Sequence, residues 1–131
     1  MKVLALDHGS ARTGVAVSDP TGTIVRPLPA IARVDSPAGR KALDAVLRAE
    51  APDLIVVGEP RSMSGARGAQ ARAAAGFAGR LSGRQGVPVE LWDERLTTVE
   101  AERRAREGGS RADVDSLAAC VLLEAFLAAR T

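Results

Sequence analysis

A chain of 131 residues, 46% of them hydrophobic, is sized for one domain spanning 1–131 and can bury roughly two-thirds of its unfolded surface. Its formal charge is only +2, no apolar run approaches the ~20 residues of a membrane span, and Met1-Lys2 leads straight into apolar sequence. Neither a membrane segment nor a signal peptide is expected, and the expected location is the cytoplasm. Cys120 and His8 are each the only residue of their kind, which excludes an intrachain disulfide, a thiolate centre or a histidine-rich zinc site. Any metal must then be held by oxygen, which favours Mg²⁺ or Mn²⁺.

The first element is a short strand, 3–7, that delivers Asp7 at its C-terminal end. A turn through Gly9 and Gly14 carries Arg12 and leads to a second strand, 14–19; Pro20-Thr21-Gly22 then reverses the chain into a third, 24–33. A strand-end carboxylate beside an arginine-bearing turn suits a divalent cation held against a phosphate, and capping of the turn by Asp7 is the alternative. Ser36-Pro37 opens a helix running to about Glu50. The fourth strand, 53–58, is apolar from Leu54 onward, as expected when both faces are covered.

A loop through 60–65 leads to a long Ala/Arg helix ending near Gly83 or Gly86, then a fifth strand at 88–92. Between Glu59 and Glu90 there is no acidic residue, while Arg61, Arg67, Arg72, Arg80 and Arg84 all fall there. A local charge of about +5 carried by planar guanidinium forks suits a polyanion, and a solvated helix face is the alternative. With Phe77, Trp92 and Phe126 the only aromatics, stacking on unpaired bases has little support. Thr97 or Thr98 caps a short helix to Gly108-Gly109, and a last helix is expected over 113–129 with Asp113 as N-cap. Asp115, Ala118, Ala119, Leu122 and Phe126 share one helical stripe, which predicts that Asp115 points inward toward the sheet.

Three meander strands followed by two β-α units predict an α/β fold with a mixed five-stranded sheet, order 3-2-1-4-5, flanked by helices. Strand two is the antiparallel one beside strand one. The C-terminal ends of strands one, four and five then share one edge, where such folds place ligands, and Asp7, Glu59 and the Asp93-Glu94 pair sit at those ends.

Asp7-His8-Gly9 with Arg12, 14–19, Val56-Val57-Gly58-x-Pro60 with Met63 and Gly65, Asp93-Glu94-Arg95-Leu96-Thr97-Thr98, and Val114-Asp115-Ser116 with Ala118-Ala119 together resemble the YqgF/RuvX family over the whole chain. The resemblance implies the RNase H-like fold of RuvC and a metal-dependent nuclease. The family is proposed to resolve Holliday junctions or to mature the 5′ end of pre-16S ribosomal RNA. Carried over by position, it makes Asp7, Glu94 and Asp115 the catalytic, metal-binding carboxylates. Glu59 departs from the pattern, since the family usually has an apolar residue before this proline. Adjacent strands lie about 4.8 Å apart, so Glu59 is kept as a further catalytic candidate whose part depends on strand register. Phosphodiester hydrolysis through carboxylate-held Mg²⁺ or Mn²⁺ needs no histidine, and Arg12, Arg61, Arg67, Arg72 and Arg95 are the expected nucleic-acid contacts.

Two rival readings stand beside this one. A non-catalytic nucleic-acid-binding module of the same fold is the first, opposed by retention of all three matching carboxylates. The second is an actin-like ATPase or sugar kinase, which needs two such domains. Junction cleavage calls for paired sites and hence a homodimer. Cys120, Val121 and Leu123 on the last helix are either surface for that partner or part of a two-sided core helix.

Overall fold

The computed structural model describes residues 1–62, 64–84, 86–108 and 115–130. Strands β1 (Val3–Asp7), β2 (Arg12–Ser18) and β3 (Val25–Ala32) form the meander, followed by α1 (Pro37–Glu50), β4 (Leu54–Glu59), α2 (Ala69–Arg84) and β5 (Val89–Asp93). A single 3₁₀ turn, Glu94–Leu96, precedes α3 (Val99–Gly108), and α4 (Leu117–Ala129) closes the chain. The sheet order is β3-β2-β1-β4-β5 as the sequence predicts, with β1 antiparallel to β2 and parallel to β4, and β4 parallel to β5.

Local chemistry accounts for most boundaries. Ser36 Oγ accepts from Gly39 N at 3.0 Å and Pro37 occupies the first turn of α1. Thr98 rather than Thr97 caps α3, its hydroxyl accepting from Ala101 N at 3.0 Å. Pro27 and Pro29 lack the N–H that a central strand must donate, which suits β3 to the sheet edge.

Side-chain alternation splits the core into two layers. Leu4, Leu6, Val15, Val17, Ile55 and Val57 pack with Leu43 and Leu47 of α1 and Phe77 and Leu81 of α2. Val3, Ala5, Ala16, Leu54 and Val56 pack on the opposite face with Leu122, Leu123 and Phe126 of α4. Every residue of β4 is buried, as its apolar run predicts for Leu54 to Gly58, and Glu59 is buried with them. Cys120 and Leu123 are also buried and Val121 is half-buried, so α4 is a two-sided core helix. Among the described residues no helix is long and apolar enough to cross a membrane.

The last helix departs from expectation. It begins at Leu117, preceded by Ser116 in the cap position, and the expected Asp113 cap lies outside the described residues, as do Met63, Gly109 and Val114. Tertiary bonding explains the late start. The pairing of β2 with β3 shifts register between Thr13 and Val15. Ser116 Oγ bonds across that bulge, accepting from Val15 N at 3.0 Å and donating to Leu28 O at 2.6 Å. Ser116 is therefore the buried residue, while the Asp115 side chain is 57% exposed, contrary to the inward position its helical stripe predicts.

Candidate active site

The parallel pairing aligns Leu6 with Val57, so the chain ends its strands at one edge with Asp7 beside Gly58 and Glu59 one residue beyond. Alternation then separates the two acids. Asp7 continues the Val3–Ala5 face toward α4, whereas Glu59 continues the Ile55–Val57 face toward α2. Glu59 is 2% exposed and lies between two arginines, with Arg61 Nε donating to Oε1 at 2.5 Å and Arg67 Nε 2.9 Å from Oε2. The structure therefore does not bring Glu59 to Asp7.

Glu94 does meet Asp7. Directly after β5, the 3₁₀ turn swings its side chain back over Gly58, where an added Cβ would stand 3.2 Å from Glu94 Cγ and Cδ and from Leu122 Cδ2. The missing side chain of Gly58 is what makes room for the carboxyl. The Asp7 and Glu94 carboxyls interact directly, and each shifts the ionisation of the other. Burial raises the Asp7 carboxyl above its ordinary range. Glu94 is pushed up to about 7, first by burial, then by the charge and hydrogen bond of Asp7 and by the charge of Asp93. The pair opens onto a cleft of about 540 Å³ whose walls include His8, Pro60, Ala69 and Gln70.

Asp115 stands apart. Its Oδ2 accepts from Arg12 Nη1 at 2.8 Å, and it lines a second cleft of about 420 Å³ that also includes Glu94, Thr97 and Arg106. Glu94 is thus the wall common to both clefts. Gly14 lets the Asp115 segment lie against β2, since a Cβ there would approach Asp115 O within 2.9 Å. Among the described residues, no three His, Cys, Asp or Glu side chains converge as they would around a cation; the expected triad is a pair plus an arginine-held third member. His8 stacks on Phe77 with ring centroids 4.7 Å apart, and its Nε2 lies 3.1 Å from Asp35 Oδ2.

The arginines divide between rim and scaffold. Arg61 and Arg67 flank Glu59, and Arg95 forks onto Asp93 with Nη2 donating to Oδ2 at 2.6 Å. Arg72 donates to Arg67 O at 2.8 Å and so braces the loop before α2, while Arg80 pairs with Asp35 at 3.0 Å. Gly58 and Ser116 stand in the motifs of the sequence, which assigned neither of them a role. A glycine closing an otherwise apolar strand was a signal for close approach, whereas nothing local marks Ser116 as the plug of a distant bulge.

Comparison with known proteins follows the same lines. The model of the family described as "RuvX: Holliday junction resolvase" matches residues 1–129. A protein of Pelotomaculum thermopropionicum named "Putative pre-16S rRNA nuclease" is 42% identical over 133 residues, covering 97% of this chain and 86% of the relative. An Anaeromyxobacter protein of the same name is 43% identical over 135 residues, covering 99% and 98%. Among solved structures, Thermus thermophilus RuvC in complex with a Holliday junction substrate superposes with a TM-score of 0.67 at 18% identity, covering 99% of this chain and 95% of that one. Fowlpox virus resolvase with Holliday junction DNA gives a TM-score of 0.60 at 10% identity, covering 99% of each. At those identities the structural likeness speaks for the RNase H-like fold, and the family match with the closer relatives decides membership: the chain belongs to the RuvX family of nucleases.

Proposed function

We propose that this protein is a divalent-metal-dependent phosphodiester hydrolase of structured nucleic acid, acting in 5′-end maturation of pre-16S ribosomal RNA. The observation that carries the reading is the Asp7–Glu94 carboxyl pair, half-buried and side by side at the edge of the sheet. Two carboxyls in that arrangement cannot both ionise cheaply, so they keep a proton unless a cation replaces it. The donor set is all oxygen, which fits Mg²⁺ or Mn²⁺. Asp7 and Glu94 would hold the ion, with Asp115 as the third carboxylate across the cleft that Glu94 shares. A divalent ion bound there supplies an activated water and stabilisation of the leaving oxygen.

The chain's own residues do the rest. Gly58 and Leu122 seat the Glu94 carboxyl, and the β1 backbone fixes Asp7 beside it. Arg12 holds Asp115 and leaves most of its guanidinium open to solvent for a phosphate, its side chain being 66% exposed. Arg61, Arg67 and Arg95 add positive charge along the rim, and contacts of this kind read backbone shape more than base sequence. His8, committed to Phe77 and Asp35, is not needed as a base.

Ribosomal RNA is preferred because the relatives at about 40% identity share that name across nearly their full length. Holliday-junction resolution is the second reading, favoured by the description of the matching family. The test incubates the protein with a ribosomal RNA fragment carrying a 5′ extension and, separately, with a synthetic four-way DNA junction. Cleavage of the RNA with Mg²⁺ or Mn²⁺, abolished by chelator and by Asp7→Asn, is the expected result. Full activity in excess chelator would refute the metal-dependent reading, and cleavage of the junction alone would move the substrate to DNA.

A further inference from the structure

Four carboxylates gather at the ends of β1, β4 and β5, and strand pairing sorts them to two sides. Asp7 and Glu94 meet on the α4 side. Glu59 and Asp93 are paired across β4 and β5 on the α2 side, and both are engaged by arginine. Gly65, with φ +88°, lies against the Arg95 guanidinium, where a Cβ would stand 3.3 Å from Nη1. The loop from β4 to α2 is thus anchored by three arginines on two carboxylates, leaving one positive charge in excess.

We propose that Glu59 is a positioning residue that holds Arg61 and Arg67 as a preformed clamp for a backbone phosphate at the rim of the Asp7–Glu94 cleft. The proposal rests on the nucleic-acid reading above for its ligand class. Burial supplies the first argument. A carboxylate 2% exposed is costly without cationic partners, so Glu59 and its arginines form one unit. Donor geometry supplies the second. Each guanidinium carries five N–H groups in a planar fork. Arg61 donates to Glu59 Oε1 through Nε alone, and Arg67 donates to Oε1 from Nη2 at 3.5 Å with its Nε 2.9 Å from Oε2. The side chains remain 29% and 49% exposed, which leaves terminal N–H groups for an anion. Place supplies the third. Pro60, between Glu59 and Arg61, lines the cleft with Asp7 and Glu94, as do Ala69 and Gln70 just beyond Arg67. A prefixed arginine gives up less rotamer freedom when phosphate arrives.

The clamp and simple charge addition predict opposite signs. Removing a carboxylate beside arginines should tighten polyanion binding if only net charge counts, and loosen it if Glu59 organises the fork. Binding of a labelled four-way DNA junction and of a labelled RNA hairpin with a 5′ extension is measured by fluorescence anisotropy in chelator, across a KCl series. Glu59→Gln should weaken binding about tenfold, with KM in Mg²⁺ rising alike and kcat held within about threefold. In an Arg61→Gln/Arg67→Gln background the same change should add nothing.

Unchanged or tighter binding, full additivity in the triple variant, or a fall in kcat with KM held would each overturn the proposal. If Glu59→Gln does not fold, Arg61→Lys/Arg67→Lys keeps the charge but loses the fork. It should weaken binding several-fold, and wild-type binding by this pair would overturn the clamp. Absence of cleavage by the unmodified protein would refute the nuclease reading while the binding series still judges the clamp; absence of binding to both probes would refute the clamp as well.

Discussion

Gly58→Ala tests whether the seat of Glu94 governs turnover. The new Cβ would stand 3.2 Å from Glu94 Cγ and Cδ and from Leu122 Cδ2, against an optimum of about 3.5–4.0 Å between carbons, so full relief needs each neighbour to retreat by about 0.3–0.8 Å, of order 0.5 Å. Leu122 is wholly buried and can give little, which puts the overpacking cost at about 1–3 kcal/mol. Replacing a glycine returns about 0.4–1 kcal/mol by restricting the unfolded chain, and β4 backbone is accessible to alanine. The net loss is then about 1–2 kcal/mol, a fall in Tm of several degrees. Glu94 is free to move on its solvent side, so it takes the larger displacement and parts from Asp7. If a misplacement of about 1 Å costs about a hundredfold, half of that predicts about a tenfold lower kcat. Thermal melts and initial cleavage rates measure the two effects, with Gly79→Ala, which meets nothing within 4 Å, as the control that should leave cleavage unchanged. A variant that melts lower yet turns over at the wild-type rate would refute the idea that the Gly58 gap positions the catalytic carboxyl.

Asp7→Asn and Glu94→Gln should each lower kcat by about a hundredfold or more with nucleic-acid binding retained, as read by single-turnover cleavage beside anisotropy; comparable loss of binding would speak against a chemical role. In chelator, Glu94 pushed up to about 7 means the folded state binds a proton that the unfolded state has released, so this group's stabilisation is present at low pH and is lost as pH rises toward 7. The difference in Tm between the unmodified protein and Glu94→Gln should therefore shrink or reverse from pH 5 to pH 7.5, and a difference independent of pH would exclude the shared proton. Ser116→Ala leaves a buried N–H on Val15 and the carbonyl of Leu28 without the side-chain partner, at a cost of about 2–3 kcal/mol in urea unfolding; a loss below ~0.5 kcal/mol would mean the bulge does not depend on it. Sedimentation at micromolar concentration with cleavage of both substrates bears on assembly. A monomer that trims RNA is the expected outcome, and a dimer making paired nicks in the four-way junction would favour the resolvase reading.

Sheet order, strand positions and the gathering of Asp7, Glu59, Asp93 and Glu94 at one edge were all legible from short-range pattern. Apolar runs of strand length, a Ser-Pro helix start and β-α alternation are local signals, and right-handed crossover leaves few topologies for them. The partition of those carboxylates was not legible. Period-2 alternation says that neighbours on a strand face opposite ways, but only the pairing of Leu6 with Val57 puts Glu59 a residue past Asp7 and hence on the far face with Arg61 and Arg67. Asp115 shows the same limit from the helical side. Its spacing to Ala118, Ala119 and Leu122 matches a buried stripe, yet an irregularity in the β2–β3 pairing, roughly a hundred residues away in sequence, draws Ser116 inward instead and starts the helix at Leu117, leaving Asp115 to Arg12. Local periodicity cannot register a hydrogen bond offered by another element, and those long-range bonds decide which carboxyls share the site.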